Sequence, residues 1–433
     1  MPINDRRSFL KLGALAGAFS TSSLFRQAHA AEFEAASGAV AHLDAGAVAQ
    51  NEDYWGVIQR GYSVDTQIIN LNNGGVSPSP IVVQEAVERY NKMTNAGPSY
   101  YMWQIIDQGR EPLRLKLARL AGTSAEEIAI NRNSTEALNT IIYGLPLKAG
   151  DEVVGTKFDY PNMMNAYRQR ADRDGIVYKQ ITLPSFPIED EDAIVKAYEQ
   201  AMTPKTKLVH ITHMVNWVGQ AMPARKIADM AHAKGAEVIV DGAHSFGLMD
   251  FKITDLNCDY FGTSLHKFLS APIGSGMMWV KQEKIEKLWP LTCYGDPHSK
   301  DIRKFEALGT RSFPIEQGIG EAINFHEAIG SRRKQERIFY LKNYWSTRVK
   351  DVKGVKLYTS LDPRFSCAIC GVSVEGVEPR QLMNTLFDKY RIHTVAIDYE
   401  GVHCIRVTPH VYTPIADLDK FVGAIQDIAT KKA

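Results

Sequence analysis

The chain has 433 residues, of which 45% are hydrophobic and 23% are charged, and its formal net charge at pH 7 is +1. This length and composition are sufficient for a large buried core and for two domains. The near-neutral charge, without a basic run or a stripe of basic and aromatic residues, gives no reason to expect a nucleic-acid ligand. Small molecules are therefore the expected partners.

The first 31 residues have the composition of an export signal. NDRRSFLK, with its paired Arg6 and Arg7, precedes a weakly apolar stretch, and Ala28-His29-Ala30 offers a small-x-small cleavage site. These features resemble a twin-arginine signal, although Asp5 stands where a serine is more usual. The alternative is an uncleaved membrane anchor, for which about 17 mildly apolar residues are too few. We expect export to the periplasm by the twin-arginine route and no membrane segment after signal removal.

Five cysteines stand at positions 258, 293, 367, 370 and 404. Only Cys367 and Cys370 have CxxC spacing, and they lie in the apolar run FSCAICGVSV, which predicts a strand. Buried thiols are the expected outcome, and no metal site or disulfide framework is indicated. Cys404 lies two residues before Arg406 in another predicted strand, where a packed thiol is expected rather than a nucleophile.

From about residue 125 to 285, β-branched runs alternate with helical patterns, which predicts a parallel sheet with crossover helices. The clearest unit is KLVHITH, PARKIADMAHAKG and AEVIVDGAH. Its helix begins near Pro223, ends at Gly235 and carries Ile227, Met230 and Ala231 on one face. The flanking strands 208–211 and 238–240 should lie side by side.

The C-terminal part has a different pattern. One long helix, IEQGIGEAINFHEAIGSRRKQERIFYLKNYWSTRV, precedes the strands KLYTS, SCAICGVSV and HCIRVTP, which predicts a compact α+β domain. Residues 48–84 are predicted to be a loop because LNNGGVSPSP is rich in Gly and Pro. The predicted organisation is a signal (1–31), an N-terminal segment (32–84), a large domain (85–324) and a small domain (325–433).

Three chemically active side chains follow two predicted strands. Asp241 and His244 come directly after AEVIV, and Lys267 follows CDYFGTS in apolar surroundings. The carboxyl ends of parallel strands meet at one edge of the sheet, so these groups should converge. Pyridoxal phosphate would use all of them, because its aldehyde condenses with a lysine and its protonated ring nitrogen needs a carboxylate. Burial would lower the pKa of Lys267 and supply the neutral amine.

A phosphate site is predicted at NRNSTEALNTIIYGL. Asn133 is the expected N-cap of a helix, with Glu136 three residues later as in a capping box. The apolar face comprises Leu138, Ile141, Ile142 and Leu145. The first-turn amides of Ser134 and Thr135, with the Thr135 hydroxyl, should face an anion.

Together these motifs resemble class V aminotransferases of fold type I, which include cysteine desulfurases and isopenicillin N epimerase-like enzymes. The resemblance runs from about 68 to 425. The motifs that carry it are LNNGG (71–75), NSTEALN (133–139), HMVNWVG (213–219), DGAHS (241–245), SLHK (264–267), RKFEALGT (303–310) and RVTPHVYTPIADLD (406–419). It implies a mainly parallel seven-stranded sheet between helices, a smaller α+β domain, and a homodimer with shared active sites.

The resemblance also implies roles for individual residues. Lys267 would be the Schiff-base lysine, and Asp241 would pair with the pyridine nitrogen. Further cofactor contacts would come from Ser134, Thr135, Asn216, His244, Ser264 and His266, and from Thr310, which would reach the phosphate of the other subunit. Arg406 would bind the substrate carboxylate as a bidentate fork, and Asn73 would contact the substrate.

The ring-stacking position departs from the family pattern. Many members have a histidine there, whereas this chain reads TKFDYPNMMN. Tyr160 is the stacking candidate, with Asp159 or Asn162 as alternatives if the register differs. Tyrosine stacks equally well but offers no protonated imidazole.

Each motif also has a purely structural interpretation. NSTEALN alone is a well-capped helix, Asp241 could cap a helix, His213 and His244 could be core histidines, and Arg406 could form a structural ion pair. Tyr100 and Tyr101 could close the substrate pocket, although packing accounts for them equally well. The ordered set of motifs favours the enzymatic interpretation.

The expected reaction begins at Cα of an amino acid or a peptide-linked amino group, with Lys267 as the general base. Epimerisation, transamination and elimination share this step, and the leading prediction is an isopenicillin N epimerase-like enzyme. A transaminase or lyase that modifies an exported metabolite such as a siderophore is the alternative. Cysteine desulfuration is disfavoured because RIHTVAIDYEG contains no cysteine ahead of Arg406. A non-catalytic exported binding protein is the non-enzyme alternative, and no GxGxxG motif supports a dehydrogenase.

Overall fold

The structure is a computed structural model that describes residues 29–432, so most of the predicted export signal lies outside the described residues. The helices are α1 (29–39), α2 (Ala45–Val48), α3 (Glu52–Gln59), α4 (Ile81–Ala96), α5 (Pro98–Tyr100), α6 (Arg110–Ala121), α7 (Ser134–Gly144), α8 (Pro161–Asp174), α9 (Glu191–Ala201), α10 (Ala224–Ala233), α11 (Phe313–Ile329), α12 (Ser331–Val349), α13 (Pro379–Tyr390) and α14 (Ile415–Lys432). A π-helical turn (Tyr101–Ile106) and a 3-10 turn (Asp107–Gly109) join α5 to α6. Within residues 29–432, no helix has both the length and the apolar character that a membrane span requires.

The strands form three sheets. They are β1 (Ile69–Asn70), β2 (Ile128–Asn131), β3 (Glu152–Thr156), β4 (Val177–Ile181), β5 (Thr206–Thr212), β6 (Glu237–Asp241), β7 (Tyr260–Ser264), β8 (Gly276–Val280), β9 (Val355–Leu357), β10 (Cys370–Val374), β11 (Ile392–His393), β12 (Val395–Tyr399) and β13 (Val402–Val407).

The large sheet has seven strands in the order β2-β8-β7-β6-β5-β3-β4. Only β8 runs against its neighbours β2 and β7, and the other adjacent pairs are parallel. Except for the partly exposed edge strand β4, the strands are buried on both faces because helices cover the sheet on either side. The predicted unit is confirmed, since β5 and β6 lie side by side with α10 between them in the chain. This architecture confirms the predicted α/β fold.

The predicted smaller domain is also present. Its four-stranded sheet has the order β12-β13-β10-β9, and every adjacent pair is antiparallel. Apolar side chains of α12, α13 and α14 form its core against β10 and β13. Strand β12 was not predicted from the sequence.

The single long helix predicted across the domain junction is wrong. It is two helices, α11 and α12, separated at Gly330, whose φ of 92° is a left-handed value that favours glycine. Helix α11 continues across the expected boundary at 324/325. After the break, the first turn of α12 lies beside the segment that follows β7. There the Lys334 side chain donates a hydrogen bond to the Phe268 carbonyl.

The prediction of an irregular segment from 48 to 84 is wrong in part. It contains α3, whose N-cap Asn51 accepts a hydrogen bond from the Tyr54 amide at 3.0 Å, and the beginning of α4. The loop between them extends along the small domain. There Ile69 pairs with Ile392, and Asn72 forms an isolated bridge with Thr408.

Candidate active site

A cavity of about 310 Å³ lies at the carboxyl ends of the parallel strands, which is where open α/β sheets bind ligands. The large domain supplies most of its wall and β13 of the small domain supplies Arg406. Ten predicted site residues line this cavity: Ser134, Thr135, Tyr160, Asn216, Asp241, His244, Ser264, His266, Lys267 and Arg406. Residues scattered over most of the chain therefore meet at one site.

The beginning of α7 forms one end of the cavity. Asn133 caps the helix through its side-chain oxygen, which accepts from the Glu136 amide at 2.9 Å. Glu136 does not complete the predicted capping box, because its carboxylate accepts from the amide of Arg132 instead. The four predicted apolar side chains of α7 are buried, and they fix the helix so that its positive end faces the cavity.

Two polar groups complete this end of the cavity. The Ser264 hydroxyl at the end of β7 accepts from the Ser134 amide at 2.9 Å and lies 2.9 Å from the Ser134 hydroxyl. The Nδ1–H of His266 donates to the Ser275 carbonyl at 3.0 Å, which leaves Nε2 for a ligand. Burial lowers the pKa of His266. An anion bound here would raise that pKa again and favour the doubly protonated ring.

Asp241 lies at the carboxyl end of β6, beside Thr212 of β5. One carboxylate oxygen accepts from the Ala243 amide at 2.9 Å, and the side chain is buried. Burial raises the pKa of Asp241, while His210, the Ala243 amide and Lys267 oppose this shift. A buried carboxylate of this kind is matched to a protonated ring nitrogen.

Lys267 projects into the cavity from the segment after β7. Burial lowers its pKa to about 8, Asp241 opposes the shift and Arg406 reinforces it. The lysine Nζ lies 3.2 Å from Nε2 of His244, and that nitrogen lies 2.8 Å from the Gly74 carbonyl. Near neutral pH the neutral, nucleophilic form of this amine is therefore far more populated than that of an exposed lysine.

Arg406 reaches the cavity from β13. Its Nη1 donates to the Asn216 carbonyl at 2.9 Å and its Nη2 to Oδ1 of Asn72 at 2.7 Å. Among residues 29–432 no carboxylate forms an ion pair with this buried guanidinium, which argues against a purely structural ion pair. Burial without a counter-ion lowers its pKa to about 10. The group is available for the carboxylate of a ligand.

Two predicted residues lie outside the cavity. Asn73 is fully buried in the scaffold, where its side chain donates to the Thr408 carbonyl and accepts from the Tyr412 hydroxyl at 2.6 Å. The neighbouring Asn72 contacts Arg406. Thr310 is exposed on the isolated chain.

The ring-stacking candidates differ in position. Tyr160 lines the cavity and is 39% exposed, whereas Asp159 is buried and Asn162 is exposed outside the cavity. The Asp159 carboxylate accepts from the Thr156 amide at 2.7 Å and from the Thr212 hydroxyl at 2.8 Å. Of the three residues, only Tyr160 therefore presents a side chain to a ligand.

Sequence reasoning missed several cavity residues, among them Gly74, Gly75 and Thr212. At Gly74 a Cβ would lie 3.3 Å from the Thr408 hydroxyl and 3.5 Å from the Arg406 guanidinium carbon, so glycine permits the close approach of the loop. The pairing of β5 with β6 was the signal for Thr212, because strands in register place Thr212 beside Asp241.

The thiols do not contribute to the cavity. Cys258, Cys367, Cys370 and Cys404 are buried, as predicted for the CxxC pair and for Cys404, and Cys293 is exposed away from the cavity. Between β12 and β13 the chain turns through Glu400 and Gly401, whose φ values of 50° and 78° are typical of a tight two-residue hairpin. The turn itself, Glu400 and Gly401, contains no cysteine.

The cavity fits pyridoxal phosphate on the chemistry of its walls. The α7 end, Ser264 and His266 provide an anion site, Asp241 provides the ring carboxylate, and Lys267 provides the amine. Two buried wall atoms, Oδ1 of Asn216 and Nε of Arg406, have no hydrogen-bond partner in the described part of the chain. Each can bond to a polar group of a bound cofactor or substrate.

Comparisons with known proteins agree with this fit. The isopenicillin N epimerase of Amycolatopsis lactamdurans is 27% identical over 393 residues, which cover 87% of this chain and 98% of the relative. A probable cysteine desulfurase of Halalkalibacterium halodurans is 30% identical over 338 residues, which cover 74% of this chain and 80% of the relative. A C-DES mutant solved with glycine covalently linked to its PLP cofactor shares the fold, with a TM-score of 0.75, 20% identity and coverage of 84% of this chain and 97% of that chain.

The family match spans most of the chain. Residues 69–421 match the family described as Aminotransferase class-V, and this range includes every residue that lines the cavity. The chain therefore belongs to the class V aminotransferase family and is a pyridoxal phosphate-dependent enzyme of fold type I.

Proposed function

We propose that the enzyme acts at Cα of an amino acid or a peptide-linked amino group, in the manner of an isopenicillin N epimerase. The observation that carries this proposal is Arg406, a buried guanidinium without a carboxylate partner in the described chain, which lines the same cavity as the Lys267 amine. A substrate with both an amino group and a carboxylate satisfies both groups at once. A simple amine would leave Arg406 uncompensated.

The division of labour follows from the geometry. Ser134, Ser264 and His266 would hold the phosphate, and Asp241 would keep the ring nitrogen protonated. When bound, the cofactor supplies a conjugated ring that takes up the electron pair released at Cα. Arg406 would bind the substrate carboxylate and so orient the bonds at Cα for reaction.

Lys267 is the proton carrier. Its pKa of about 8 allows the amine to accept a proton near neutral pH and to return it within the same cycle. His244 lies beside the amine as a neutral ring, because burial, Lys267 and Arg406 all hold the His244 pKa well below its usual value. It positions the lysine without competing for the proton.

Sulfur transfer to a protein thiol is not part of the proposal. The turn ahead of Arg406, through Glu400 and Gly401, contains no cysteine, and Cys404 in the strand that follows is buried. Burial raises the pKa of Cys370 to about 11 and that of Cys367 to about 12, so both thiols are protonated at neutral pH. These features support chemistry that requires no nucleophilic cysteine.

A groove next to the cavity supports a substrate larger than a simple amino acid. It has a volume of about 520 Å³, shares Gly75 with the cofactor cavity, and includes Asn72, the partner of Arg406. Its walls are mainly apolar, with Ile68, Val76 and Phe387, and His393 is a further polar contact. The extended part of a peptide-linked substrate would lie in this groove.

The experiment combines D- and L-amino acids and their peptide-linked forms with holoenzyme in D₂O, without a 2-oxo acid. Epimerisation predicts deuterium at Cα together with inversion and no net loss of amine. Consumption of amine that requires an added 2-oxo acid would instead identify a transaminase, and release of ammonia with an unsaturated or keto product would identify a lyase. Absence of Cα exchange with every carboxylate substrate would contradict the proposal.

The groove has its own test within the same assay. Phe387→Ala should raise KM for an extended substrate and leave KM for the corresponding free amino acid unchanged, because only the former contacts the groove. Phe339→Ala provides a control substitution of a phenylalanine outside the groove. Equal effects of Phe387→Ala on both substrates would argue against the groove as a substrate site.

We also propose a homodimer with shared sites. Exposed large apolar side chains support it, among them Tyr100 (59%), Trp103 (51%), Ile273 (67%) and Tyr294 (88%). In mixed dimers of Lys267→Ala and Thr310→Ala chains, one site would combine the intact Lys267 of one chain with the intact Thr310 of the other. Activity above that of either parent would support shared sites, and no gain would contradict the role of Thr310 across the interface.

Export by the twin-arginine route is the final part of the proposal. The paired Arg6 and Arg7 and the small-x-small site at Ala28-His29-Ala30 support it. Replacement of both arginines by lysine should retain the enzyme in the cytoplasm, as measured by cell fractionation. Unchanged periplasmic recovery would contradict this route.

A further inference from the structure

A second buried lysine lies behind the cofactor lysine. Lys334 belongs to the first turn of α12, and its side chain is buried. Its ammonium group donates to the backbone carbonyl of Phe268, the residue that follows Lys267. The contact joins a helix that begins directly after the Gly330 break to the segment that carries the catalytic amine.

The surroundings of Lys334 contain bases but no acid. His326, on the last turn of α11, places Nδ1 3.5 Å from the Lys334 Nζ, and its Nε2 bonds to the Ser331 hydroxyl at 2.9 Å. In addition to burial, the charge of Lys334 lowers the pKa of His410, and Lys334 and Lys252 both lower the pKa of His326. Among residues 29–432, no carboxylate pairs with Lys334, and burial lowers its pKa to about 7.

Burial of the Lys334 ammonium group costs free energy of folding. A buried cation without an ion-pair partner destabilises the folded state, and an apolar side chain of the same length would fill the space without that cost. The Phe268 carbonyl, however, would then lose the donor that Lys334 provides. The hydrogen bond to the Phe268 carbonyl therefore offers a reason for a lysine at this position, despite the free-energy cost of burying its charge.

The segment from Lys267 to Ser270 is held from several directions. Ser270 has a φ of 59°, a left-handed value that is strained for serine, and its amide closes a turn onto the Lys267 carbonyl at 3.0 Å. The Ser270 hydroxyl lies 3.3 Å from Nε2 of His410, whose ring is stacked on Phe268 at 6.1 Å. Lys334 adds a further restraint, because its side chain donates to the Phe268 carbonyl within the same segment.

We propose that Lys334 is a positioning residue for the catalytic lysine. By holding the Phe268 carbonyl, it fixes the backbone from which the Lys267 side chain reaches the cofactor. The orientation of the amine is thereby set before any ligand binds, and this preorganisation accelerates the reaction of the amine.

The test uses the full-length enzyme and three variants. Lys334→Met keeps the length of the side chain and removes the donor, and Lys334→Gln keeps an N–H donor on a shorter side chain. Lys342→Met is the matched control, because Lys342 is also a buried lysine of α12 but donates to the Ser360 carbonyl at 2.9 Å and the Ser366 hydroxyl at 2.7 Å. Lys342 has no contact with the Lys267 segment.

Two quantities are measured. The first is the rate at which apoenzyme develops visible absorption on addition of pyridoxal phosphate, which reports covalent reaction of Lys267. The second is the affinity for pyridoxine 5′-phosphate, which has no aldehyde and reports non-covalent binding alone. The rate at saturation should fall about tenfold in Lys334→Met, the effect of one lost hydrogen bond, and about threefold in Lys334→Gln.

The affinity for pyridoxine 5′-phosphate should be unchanged in all three variants, and Lys342→Met should react at the wild-type rate. Equal rates for Lys334→Met and Lys342→Met would overturn the proposal, and so would a loss of affinity without a loss of rate. If Lys334→Met does not fold, Lys334→Gln decides the question, because a wild-type rate in that variant would also overturn the proposal.

Discussion

His244 and Lys267 are within hydrogen-bond distance, with 3.2 Å between the imidazole Nε2 and the lysine Nζ. The same Nε2 lies 2.8 Å from the Gly74 carbonyl. Since the pKa of His244 is held well below its usual value, the ring is neutral, and its proton lies on Nε2 to donate to that carbonyl. His244 thus connects the N-terminal loop to the catalytic amine.

Loss of this connection should slow the reaction without unfolding the enzyme. His244→Ala is expected to lower kcat about tenfold, because the hydrogen bond that holds the N-terminal loop beside the amine is removed. Steady-state kinetics on the holoenzyme measure the effect, and His213→Ala is the control, since His213 is equally buried but lies outside the cavity. Equal losses in the two variants would argue against a specific role of His244.

Arg406 should govern the binding of the substrate carboxylate. In Arg406→Lys the bidentate fork is lost, and KM for an amino acid should rise about 30-fold, equivalent to about 2 kcal/mol for a hydrogen bond to a charged group. An amine without a carboxylate should react equally with both enzymes. Arg364→Lys is the control, because Arg364 is exposed and paired with Asp362. A KM that rises equally for both substrates would contradict the assignment.

Substitutions at Tyr160 distinguish a stacking role of its ring from a role of its hydroxyl group. Tyr160→Phe keeps the ring and should retain the cofactor affinity, whereas Tyr160→Ala should weaken it about tenfold, equivalent to about 1.4 kcal/mol of aromatic contact. Equilibrium titration with pyridoxine 5′-phosphate measures both values. Equal weakening in the two variants would assign the role to the hydroxyl group.

The site residues that could be predicted from the sequence are those for which the chemistry allows few residue types. Asp241 and Lys267 follow buried parallel strands, so their meeting point is determined by the sheet, and the α7 cap is recognisable from Asn133. Asn72 and Asn73 are adjacent and chemically identical, however, and only the bridge between Asn72 and Thr408 decides which side chain faces Arg406. No sequence pattern contains that information.

The remaining differences have similar physical origins. Gly330 lies within an apolar periodicity that continues on both sides of it, so the pattern alone does not reveal the helix break. In α3, Asn51 and the acidic residues Glu52 and Asp53 were start signals that the Gly- and Pro-rich loop downstream obscured. The contact of Lys334 with Phe268 depends on that break and could not be predicted.

Asp159 should make stability depend on pH. Burial raises its pKa from 3.8 to about 7, so the folded chain retains a proton that the unfolded chain has released. The contribution to stability is fully present below the unfolded pKa and is lost as the pH rises through the folded pKa.

Relative to Asp159→Asn, the wild-type free energy of unfolding should therefore fall by up to about 1.4 kcal/mol per pH unit within this window. Denaturant titrations of both proteins at several pH values measure the difference. Asp351→Asn, at an exposed position, should show no such trend. A pH-independent difference between wild type and Asp159→Asn would contradict the protonated buried carboxyl group.

The covalent attachment of the cofactor to Lys267 is the central claim, and borohydride reduction followed by peptide mapping tests it most directly. Reduction converts the lysine–cofactor double bond into a stable amine, so the cofactor mass should appear on the peptide that contains Lys267. Lys267→Ala should remain folded by circular dichroism and lose both the adduct and the visible absorption. An adduct on another lysine such as Lys334, or unchanged visible absorption in Lys267→Ala, would contradict the account.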